Sequence, residues 1–161
     1  MSQIKRAVYL LKESKCTVCF TGAGISVESG VPSFRGEDGL WEKYDPDLFE
    51  IDYFYKHPEK SWALINKIFF EVLKDKKPNK AHYALAKLEE LGYIKAIITQ
   101  NIDNLHYLAG SKNIIEYHGN SRTLECKKCG KKFNASDFDL SRVPMCPHCN
   151  MPLKPDFVFF G

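Results

Sequence analysis

The residues Thr99-Gln100-Asn101-Ile102-Asp103-Asn104-Leu105-His106 follow directly on an apolar run, Ile94 to Ile98. An amide, a carboxylate and an imidazole therefore stand at the end of a predicted buried strand. A second apolar strand, predicted over Thr17 to Phe20, leads into the glycine turn Gly22-Ala23-Gly24-Ile25-Ser26. Because open α/β sheets bind their ligands at strand ends of this kind, the sequence predicts an α/β protein with its site where these strands end.

A third strand end and three helices complete this pattern. Residues Ile114 to Tyr117 form a further predicted strand, and His118-Gly119 follows it. Apolar residues at helical spacing predict amphipathic helices over Gln3–Glu13, over Pro58–Leu73 and from the cap residue Asn79 to Leu91. Three strand ends that carry polar groups, with few folding reasons for them, indicate a nucleotide-using enzyme.

The composition narrows the class of protein. Hydrophobic residues make up 44% of the chain and charged residues 27%, which is ordinary for a globular domain. A net charge of +3 is too mild to indicate a nucleic-acid partner. No apolar run approaches the roughly 18 residues of a membrane span, and the start Met1-Ser2-Gln3-Ile4-Lys5-Arg6 has no apolar signal core behind it. We therefore expect a cytoplasmic protein without a membrane partner.

The six cysteines fall into two classes. Cys16 and Cys19 flank the first strand and are expected to be small buried side chains. The other four form two Cys-x-x-Cys pairs separated by sixteen residues: Cys126 with Cys129, and Cys146 with Cys149. This spacing is typical of a tetrathiolate zinc site, in which four thiolates leave no open position. We predict one structural zinc ion per chain. A pair of disulfides is the alternative, which the absence of an export signal disfavours.

The character of the sequence changes from Leu124 to about Pro152. Regular apolar periodicity fades there, and lysines, cysteines and turn residues take over. Such a segment needs its metal to fold, so residues 124–152 are predicted to form a small zinc-ribbon insertion. The apolar strand expected over Asp156–Phe160 follows it.

Several polar residues suit a nucleotide ligand. Glycines such as Gly22 and Gly24 allow the backbone to approach a pyrophosphate. Asn101 and Asp103 stand two residues apart, so both can face one cavity and hydrogen-bond a carboxamide, although both types are also common in turns. Arg35 can bind a phosphate with its planar fork or pair with a neighbouring acid. An imidazole at a strand end can be a general base near neutral pH, yet nothing local distinguishes the histidine that follows the third strand from the others.

The order of these motifs resembles that of the sirtuins, the NAD-dependent protein-lysine deacylases, in their archaeal or bacterial form. The resemblance covers essentially the whole chain. It is carried by Gly22-Ala23-Gly24-Ile25-Ser26, Gly30-Val31-Pro32-Ser33-Phe34-Arg35, Thr99-Gln100-Asn101-Ile102-Asp103, His118-Gly119 and the two cysteine pairs. The final Pro155-Asp156-Phe157-Val158-Phe159-Phe160-Gly161 resembles the strand on which sirtuins lay their peptide substrate.

The resemblance implies a fold, an activity and a set of site residues. Residues 1–123 would form a Rossmann-like, NAD-binding portion with its cofactor loop over 22–55, and residues 153–161 would return as a strand into that sheet. The acetyl group of a protein or peptide lysine would pass to ADP-ribose as nicotinamide leaves. His118 would be the general base, and Asn101 the second catalytic residue. The residues that would contact NAD are Gly22, Ala23, Gly24, Ile25, Ser26, Phe34, Arg35, Gln100, Asn101, Ile102 and Asp103, and those that would contact the substrate are Val158, Phe159, Phe160 and Gly161.

The sequence departs from the sirtuin pattern at two points. Sirtuins that prefer acidic acyl groups carry a tyrosine and an arginine where a local alignment on Trp62 places Ile65 and Ile68. An acetyl or longer apolar acyl group is therefore expected. Sirtuins also continue beyond Gly161 with segments for the adenosine half of NAD. We accordingly expect an incomplete second half of the sheet, an exposed apolar sheet edge and an inactive fragment of a deacetylase.

Two other functions remain open at this point. Mono-ADP-ribosyl transfer would use the same pocket with a different acceptor. A zinc-ribbon interaction module would instead use the cysteine pairs together with Lys127, Lys128, Lys131 and Lys132. The segment Gln100-Asn101-Ile102-Asp103 discriminates between these classes, because a binding ribbon has no use for a carboxamide pocket.

Overall fold

The first sheet of the computed structural model, which describes residues 2–34 and 39–161, has three parallel strands. They are β1 (Val18–Thr21), β2 (Ala96–Thr99) and β3 (Ile114–Glu116), in the order β1-β2-β3. Thr99 lies in register with Thr21 on one side and with Glu116 on the other. The parallel register brings all three carboxyl ends to one edge of the sheet, which confirms the predicted α/β arrangement.

The α-helices are α1 (Gln3–Glu13), α2 (Leu40–Lys43), α3 (Ile51–Lys56), α4 (Pro58–Ile65), α5 (Glu71–Leu73), α6 (Lys80–Glu90) and α7 (Leu105–Leu108). The three predicted helices are present as α1, as α4 with α5, and as α6, and the structure adds the short helices α2, α3 and α7. Short 3-10 turns span Ala23–Ser29, Pro46–Phe49 and Ala135–Asp137. A π-helical turn, Asn66–Phe70, joins α4 to α5, so the helix predicted over residues 58–73 runs without interruption. Such turns are frequent at functional sites.

A second, antiparallel sheet follows the first and corrects two expectations. It consists of β4 (Gly119–Glu125), β5 (Lys132–Asn134) and β6 (Lys154–Phe157), in the order β5-β4-β6. Strand β4 crosses the domain boundary expected at residue 124. The expected return of residues 153–161 into the parallel sheet is wrong, because β6 pairs with β4, with Leu124 opposite Pro155. Strand β4 lies outside the parallel sheet. The chain that returns from the second cysteine pair forms β6, which pairs with one edge of β4.

The second sheet and the helices share one apolar core. Phe54, Trp62, Ile65, Leu124 and Leu153 belong to a single buried cluster, and each is at most 1% exposed. The indole nitrogen of Trp62 donates a hydrogen bond to the carbonyl oxygen of Leu140 at 2.8 Å. The cysteine segment is therefore packed against α3 and α4 by ordinary apolar burial in addition to any metal.

The outer strands of the parallel sheet are partly exposed. Val18 and Phe20 of β1 are 46% and 62% exposed, and Ile115 of β3 is 50% exposed, in keeping with the expected apolar edge. Cys16 is exposed and Cys19 is only half-buried, so the expected burial of both is wrong. The reason is that Cys16 precedes an outer strand, over which few other residues pack. Among residues 2–34 and 39–161, none of the helices combines the length and apolarity that a membrane crossing requires.

The β4–β6 pairing requires glycine at its first position. Gly119 has a φ of +79°, and a Cβ there would lie 1.8 Å from the carbonyl oxygen of Asp156. We expect Gly119→Ala to lower the free energy of unfolding by about 3 kcal/mol or more, measured by urea denaturation. Gly110→Ala is the matched control, since φ is +97° there but a Cβ would meet no described atom within 4 Å. Equal losses in both variants would contradict the close approach.

Candidate functional site

A cavity of about 560 Å³ lies where the parallel sheet ends beside the second sheet. Its walls are aromatic: Phe34, Phe49, Phe69, Phe157 and Phe160. Its polar residues are Ser33, Gln100, Asn101 and His118. A narrower cavity of about 30 Å³ adjoins it and is lined by Asn101, Ile102 and Asp103 among apolar side chains. Apolar walls with a few convergent polar groups are typical of small-molecule sites.

Asn101 and Asp103 are both buried, at 6% and 7% exposure, and hydrogen bonds fix both. The amide nitrogen of Asn101 donates to the carbonyl oxygen of Gly22 and to Ser26 Oγ, each at 3.1 Å. The Asp103 carboxylate accepts from Ser26 Oγ at 2.6 Å and from the backbone N–H of Leu105 at 2.9 Å. Asn101 Oδ1 accepts no hydrogen bond from any described residue, so this oxygen remains available to a ligand.

A chain of hydroxyl groups beneath Asn101 leads to His106. The Asn101 N–H donates to Thr99 Oγ1 at 3.0 Å, and Thr21 Oγ1 donates to the same oxygen at 2.9 Å. Thr21 therefore accepts from His106 Nε2, 2.9 Å away, which assigns the ring proton to that nitrogen. His106 Nδ1 is buried without a partner among the residues described. Burial, assisted by neighbouring His82, lowers the pKa of His106 to about 4.

His82 forms the second branch of this network. Its ring lies 4.9 Å from that of His106, and its Nε2 lies 3.5 Å from Ser26 Oγ. The ring accepts the Asn79 N–H at Nδ1, while the Asn79 side chain donates to the carbonyl oxygen of Ile25 at 2.7 Å. Burial lowers the pKa of His82. Two neutral imidazoles thus support the site, a role that the sequence analysis missed although it identified Asn79 as a helix cap.

The glycine turn contributes to the site mainly through its backbone. Ala23 lines both cavities, and the Gly22 carbonyl binds Asn101. Gly24 is exposed, and a Cβ there would meet no described atom within 4 Å. Ile25 faces Asn79 through its carbonyl oxygen, and Ser26 is buried beneath Asn101 rather than in the cavity. The predicted phosphate ligand Arg35 lies outside the described residues.

His118 stands in the two-residue turn between β3 and β4. The side chain is half-buried and lines both the larger cavity and a neighbouring one of about 330 Å³. Its carbonyl oxygen accepts from the N–H of Val158 at 3.0 Å, so the turn is tied to the segment that follows β6. This placement distinguishes His118 from the four other histidines, which the sequence alone did not.

Side chains of the predicted substrate segment lie in two different environments, the larger cavity and the buried core with its neighbouring cavity. Val158 and Phe160 are 62% and 46% exposed and line the larger cavity beside His118. Phe159 is buried, and its ring lies 5.5 Å from that of Phe54. Phe159 and Gly161 border the neighbouring cavity instead. The alternation of an extended chain explains the division, because successive side chains point to opposite sides.

The four paired cysteines form a candidate metal centre. Their Sγ atoms all lie within 4.8 Å of one another, with 3.3 Å between Cys126 and Cys149 and 3.7 Å between Cys129 and Cys146. A tetrahedral zinc ion with bonds of about 2.3 Å holds its sulfur ligands about 3.8 Å apart. All four are free thiols, and the cluster fits the predicted structural zinc rather than disulfides.

The two cysteine turns have the same construction. The N–H of Gly130 donates to the carbonyl oxygen of Cys126 at 2.8 Å, and that of Asn150 to the carbonyl oxygen of Cys146 at 2.9 Å. Both donors have positive φ, +70° and +52°. Burial acts to raise the pKa of Cys126, but the N–H groups of the turn and the Cys149 thiol lower it to about 6. The turn therefore favours the thiolate form, which is the one that binds metal.

Removal of one thiol tests this centre. We expect Cys146→Ser to reduce bound zinc from about one ion per chain to a small fraction and to lower the melting temperature, because three ligands no longer close the tetrahedron. Elemental analysis and thermal melting measure the two effects. Cys16→Ser is the matched control, because that exposed thiol lies outside the cluster. Full zinc content in Cys146→Ser would contradict a four-thiolate site.

The low pKa of His106 predicts a pH-dependent stability. The ordinary value is 6.5 and the folded value about 4, so between these values the unfolded chain binds a proton that the folded chain does not. This contribution is fully present above about pH 6.5 and is lost as the pH falls toward 4, by on the order of 3 kcal/mol. Urea denaturation across this range should show a shallower pH slope in His106→Gln. The exposed His57, changed to Gln, is the control, and an unchanged slope in His106→Gln would refute the assignment.

Comparison with known proteins agrees with this geometry. A model described as the Sir2 family matches residues 22–161. The NAD-dependent protein deacetylase of Thermotoga maritima is 48% identical over 163 positions, which cover 99% of this chain and 66% of that protein. A Sir2 structure with deacetylated p53 peptide and 3'-O-acetyl ADP-ribose has a TM-score of 0.87, at 46% identity, and covers 99% of this chain and 66% of its own.

A second Sir2 structure, with p53 peptide and NAD+, has a TM-score of 0.84 at 46% identity and covers 99% of this chain and 65% of its own. The chain thus spans about two thirds of the length of these relatives. The motif order, the α/β fold with its four-cysteine cluster, and the family match over residues 22–161 agree, and the chain belongs to the Sir2 family, the sirtuins.

Proposed function

We propose that this protein acts as an NAD-dependent protein-lysine deacetylase. The observation that carries the proposal is that a single cavity brings together Asn101, Ile102 and His118 with Val158 and Phe160. The first two come from the end of β2, the third from the β3–β4 turn, and the last two from the segment after β6. The similar proteins support the proposal, since one is named a deacetylase and two solved relatives hold a peptide with NAD+ or an acetylated ADP-ribose.

The residues present fit a nicotinamide carboxamide. Asn101 Oδ1 can accept from the amide group of the ligand, because both hydrogen bonds of the Asn101 side chain to the protein are made by its nitrogen. Each oxygen of Asp103 accepts one hydrogen bond, from Ser26 or Leu105. These contacts hold its carboxylate in the proposed carboxamide pocket. When bound, NAD supplies the ribose carbon that takes the acyl oxygen as nicotinamide leaves.

The rest of the NAD would lie along the glycine turn. The absence of side chains at Gly22 and Gly24 allows a pyrophosphate to approach the backbone, and no described atom lies within 4 Å of where a Cβ of Gly24 would stand. Phe34 lines both cavities and would exclude water from the ribose. Gln100 is exposed at the mouth of the larger cavity and can reach a ribose hydroxyl. Arg35 is a further proposed contact, whereas Ser26, buried beneath Asn101, would act by holding Asn101 and Asp103 in place.

His118 is the proposed general base. Its imidazole borders the cavity at the side of Val158 and Phe160, where an acyl-lysine would enter, and it is only partly buried. A base at this place can take a proton from a ribose hydroxyl and pass it to water. The hydrogen bond between its carbonyl oxygen and the Val158 N–H fixes the base relative to the substrate segment.

The proposed acyl group is acetyl or a longer apolar chain. The described residues that line the larger cavity include five phenylalanines and neither lysine nor arginine. The local alignment on Trp62 assigns Ile65 and Ile68 to the positions that recognise acidic acyl groups. Both are buried, at 0% and 3% exposure, and Ile68 lines the narrower cavity. Among the described residues, an acyl carboxylate in this cavity would therefore meet no lysine or arginine, and burying an unpaired charge is costly.

The zinc-ribbon alternative has less support. Lys127 lies 2.8 Å from Glu125 and Lys132 lies 2.7 Å from Asp156, so two of its four lysines are paired with acids of the same sheet. The zinc ion is proposed to be structural, since the cysteines are absent from the described linings of all three cavities. A cytoplasmic location is proposed as well, in keeping with six free thiols.

The test is to incubate the purified chain with NAD and an acetyl-lysine peptide, and to measure nicotinamide release and deacetylated peptide while NAD binding is followed by calorimetry. We expect Asn101→Ala to reduce turnover by about 100-fold or more, because the carboxamide loses its acceptor, with zinc content unchanged. Asn134→Ala, at an exposed position at the end of β5, is the control. Turnover that survives Asn101→Ala would refute the assigned pocket, and a folded, zinc-loaded chain that binds no NAD would refute activity of this chain.

A further inference from the structure

Arg122 of β4 connects the two polar turns of the site. Its guanidinium forks onto the Glu116 carboxylate, with Nη1 2.7 Å from Oε1 and Nη2 2.8 Å from Oε2. The same Nη1 donates to Asn104 Oδ1 at 2.6 Å. The guanidinium carbon also stands 5.0 Å from the centre of the Tyr107 ring. The Arg122 side chain thus hydrogen-bonds to Glu116, which precedes the turn that carries His118, and to Asn104, which follows Asp103.

Other hydrogen bonds close the loop around His118. Asn120 Nδ2 donates to Glu116 Oε2 at 3.0 Å, and Asn120 Oδ1 accepts the N–H groups of Arg122 and Thr123. The ion pair and the amide therefore join the strands on either side of the two-residue turn that carries His118. Because the turn is so short, its ends determine the position of the imidazole.

A parallel set of bonds fixes the turn that follows β2. Asn104 has a φ of +65°, which is unusual for a residue other than glycine. Its side-chain nitrogen donates to Ser121 Oγ, and Ser121 Oγ donates to the carbonyl oxygen of Ile102, each at 2.8 Å. The Arg122 contact to Asn104 adds a charged hydrogen bond to a backbone conformation that needs support. The carboxamide pocket and the base are thereby linked through three consecutive residues of β4.

We propose that Arg122 is a positioning residue, which holds the His118 imidazole in register with the Asn101–Asp103 turn. The proposal rests on the proposed deacetylase function. Glu116 and Arg122 are only 19% and 35% exposed, and the fork makes two parallel hydrogen bonds, so this pair differs from a mobile surface ion pair. A group held in this way determines where a base stands without touching the substrate.

The experiment separates positioning from folding by comparing two steps of the reaction. In the proposed reaction nicotinamide leaves before His118 acts, so exchange of labelled nicotinamide into NAD reports the first step and deacetylated peptide reports the whole. We expect Arg122→Met to reduce kcat for deacetylation about 10- to 100-fold, with exchange and the KM for NAD largely retained. Arg122→Lys keeps the charge but not the fork, and is expected to recover part of the loss.

Arg142→Met is the matched control, because that arginine pairs with Asp139 in an exposed i,i+3 contact, at 80% and 53% exposure. It is expected to leave both steps at the level of the parent chain. Exchange and deacetylation that fall together in Arg122→Met, with no recovery in Arg122→Lys, would overturn the proposal, as would a deacetylation rate equal to that of the parent.

A spectroscopic measurement keeps the proposal testable without turnover. The imidazole NMR signals of His118 are expected to shift or broaden in Arg122→Met, while those of His57 and His148, which lie away from this turn, stay as in the parent. If the parent chain lacks turnover, the proposed function fails and these signals alone decide the positioning. Unchanged His118 signals would overturn it.

Discussion

The pairing of β4 with β6 joins the two halves of the molecule. Strand β4 begins after the turn that carries His118 and ends at Glu125, directly before Cys126. Strand β6 begins after the second cysteine pair and leads into the segment that lines the larger cavity. The backbone of Gly119 meets that of Asp156 without room for a side chain. Consequently the proposed base, the proposed substrate segment and the cysteine cluster take their relative positions from one antiparallel ladder.

Beneath the site, a network of neutral polar groups takes the place of apolar packing. Two hydroxyls and an imidazole support the Asn101 backbone, while Ser26 and His82 support the side chains of Asn101 and Asp103. Buried polar groups are stable only when each finds a partner, so such a network fixes a single geometry. Among the described residues it leaves the side-chain oxygen of Asn101 for a ligand, and His106 Nδ1 is buried there without a partner.

Much of this could be predicted from the sequence, because the relevant patterns are local. Apolar runs, the cap Asn79 and the cysteine spacing each act within a few residues, and they predicted the three parallel strands, the helices α1, α4–α5 and α6, and the cysteine cluster. The path of β6 was not predictable in this way, since its apolar residues satisfy either sheet equally well. The burial of Cys16 was also misjudged, because it depends on what covers an outer strand.

The side-chain contacts within the site could not be predicted from the sequence, because they join residues that are far apart along the chain. Three separate elements contribute Thr21, His82 and His106 to the network. No periodic pattern in the sequence indicates that these side chains lie close together. Likewise Glu116 and Arg122 look like ordinary surface charges in the sequence, and only the short turn between β3 and β4 makes them a pair. Motif order indicated where ligands bind, whereas long-range contacts decide how the binding groups are held.

The shared core has a consequence for the interpretation of metal dependence. Cys126 and Cys146 are buried in the same apolar cluster as Phe49, Phe69 and Phe157, which form walls of the larger cavity. Loosening the cysteine turns would therefore disturb the aromatic walls, although among the described residues no thiol borders that cavity. A chelating agent would then act as an inhibitor of ligand binding, and such inhibition would be no sign of a metal that takes part in the chemistry.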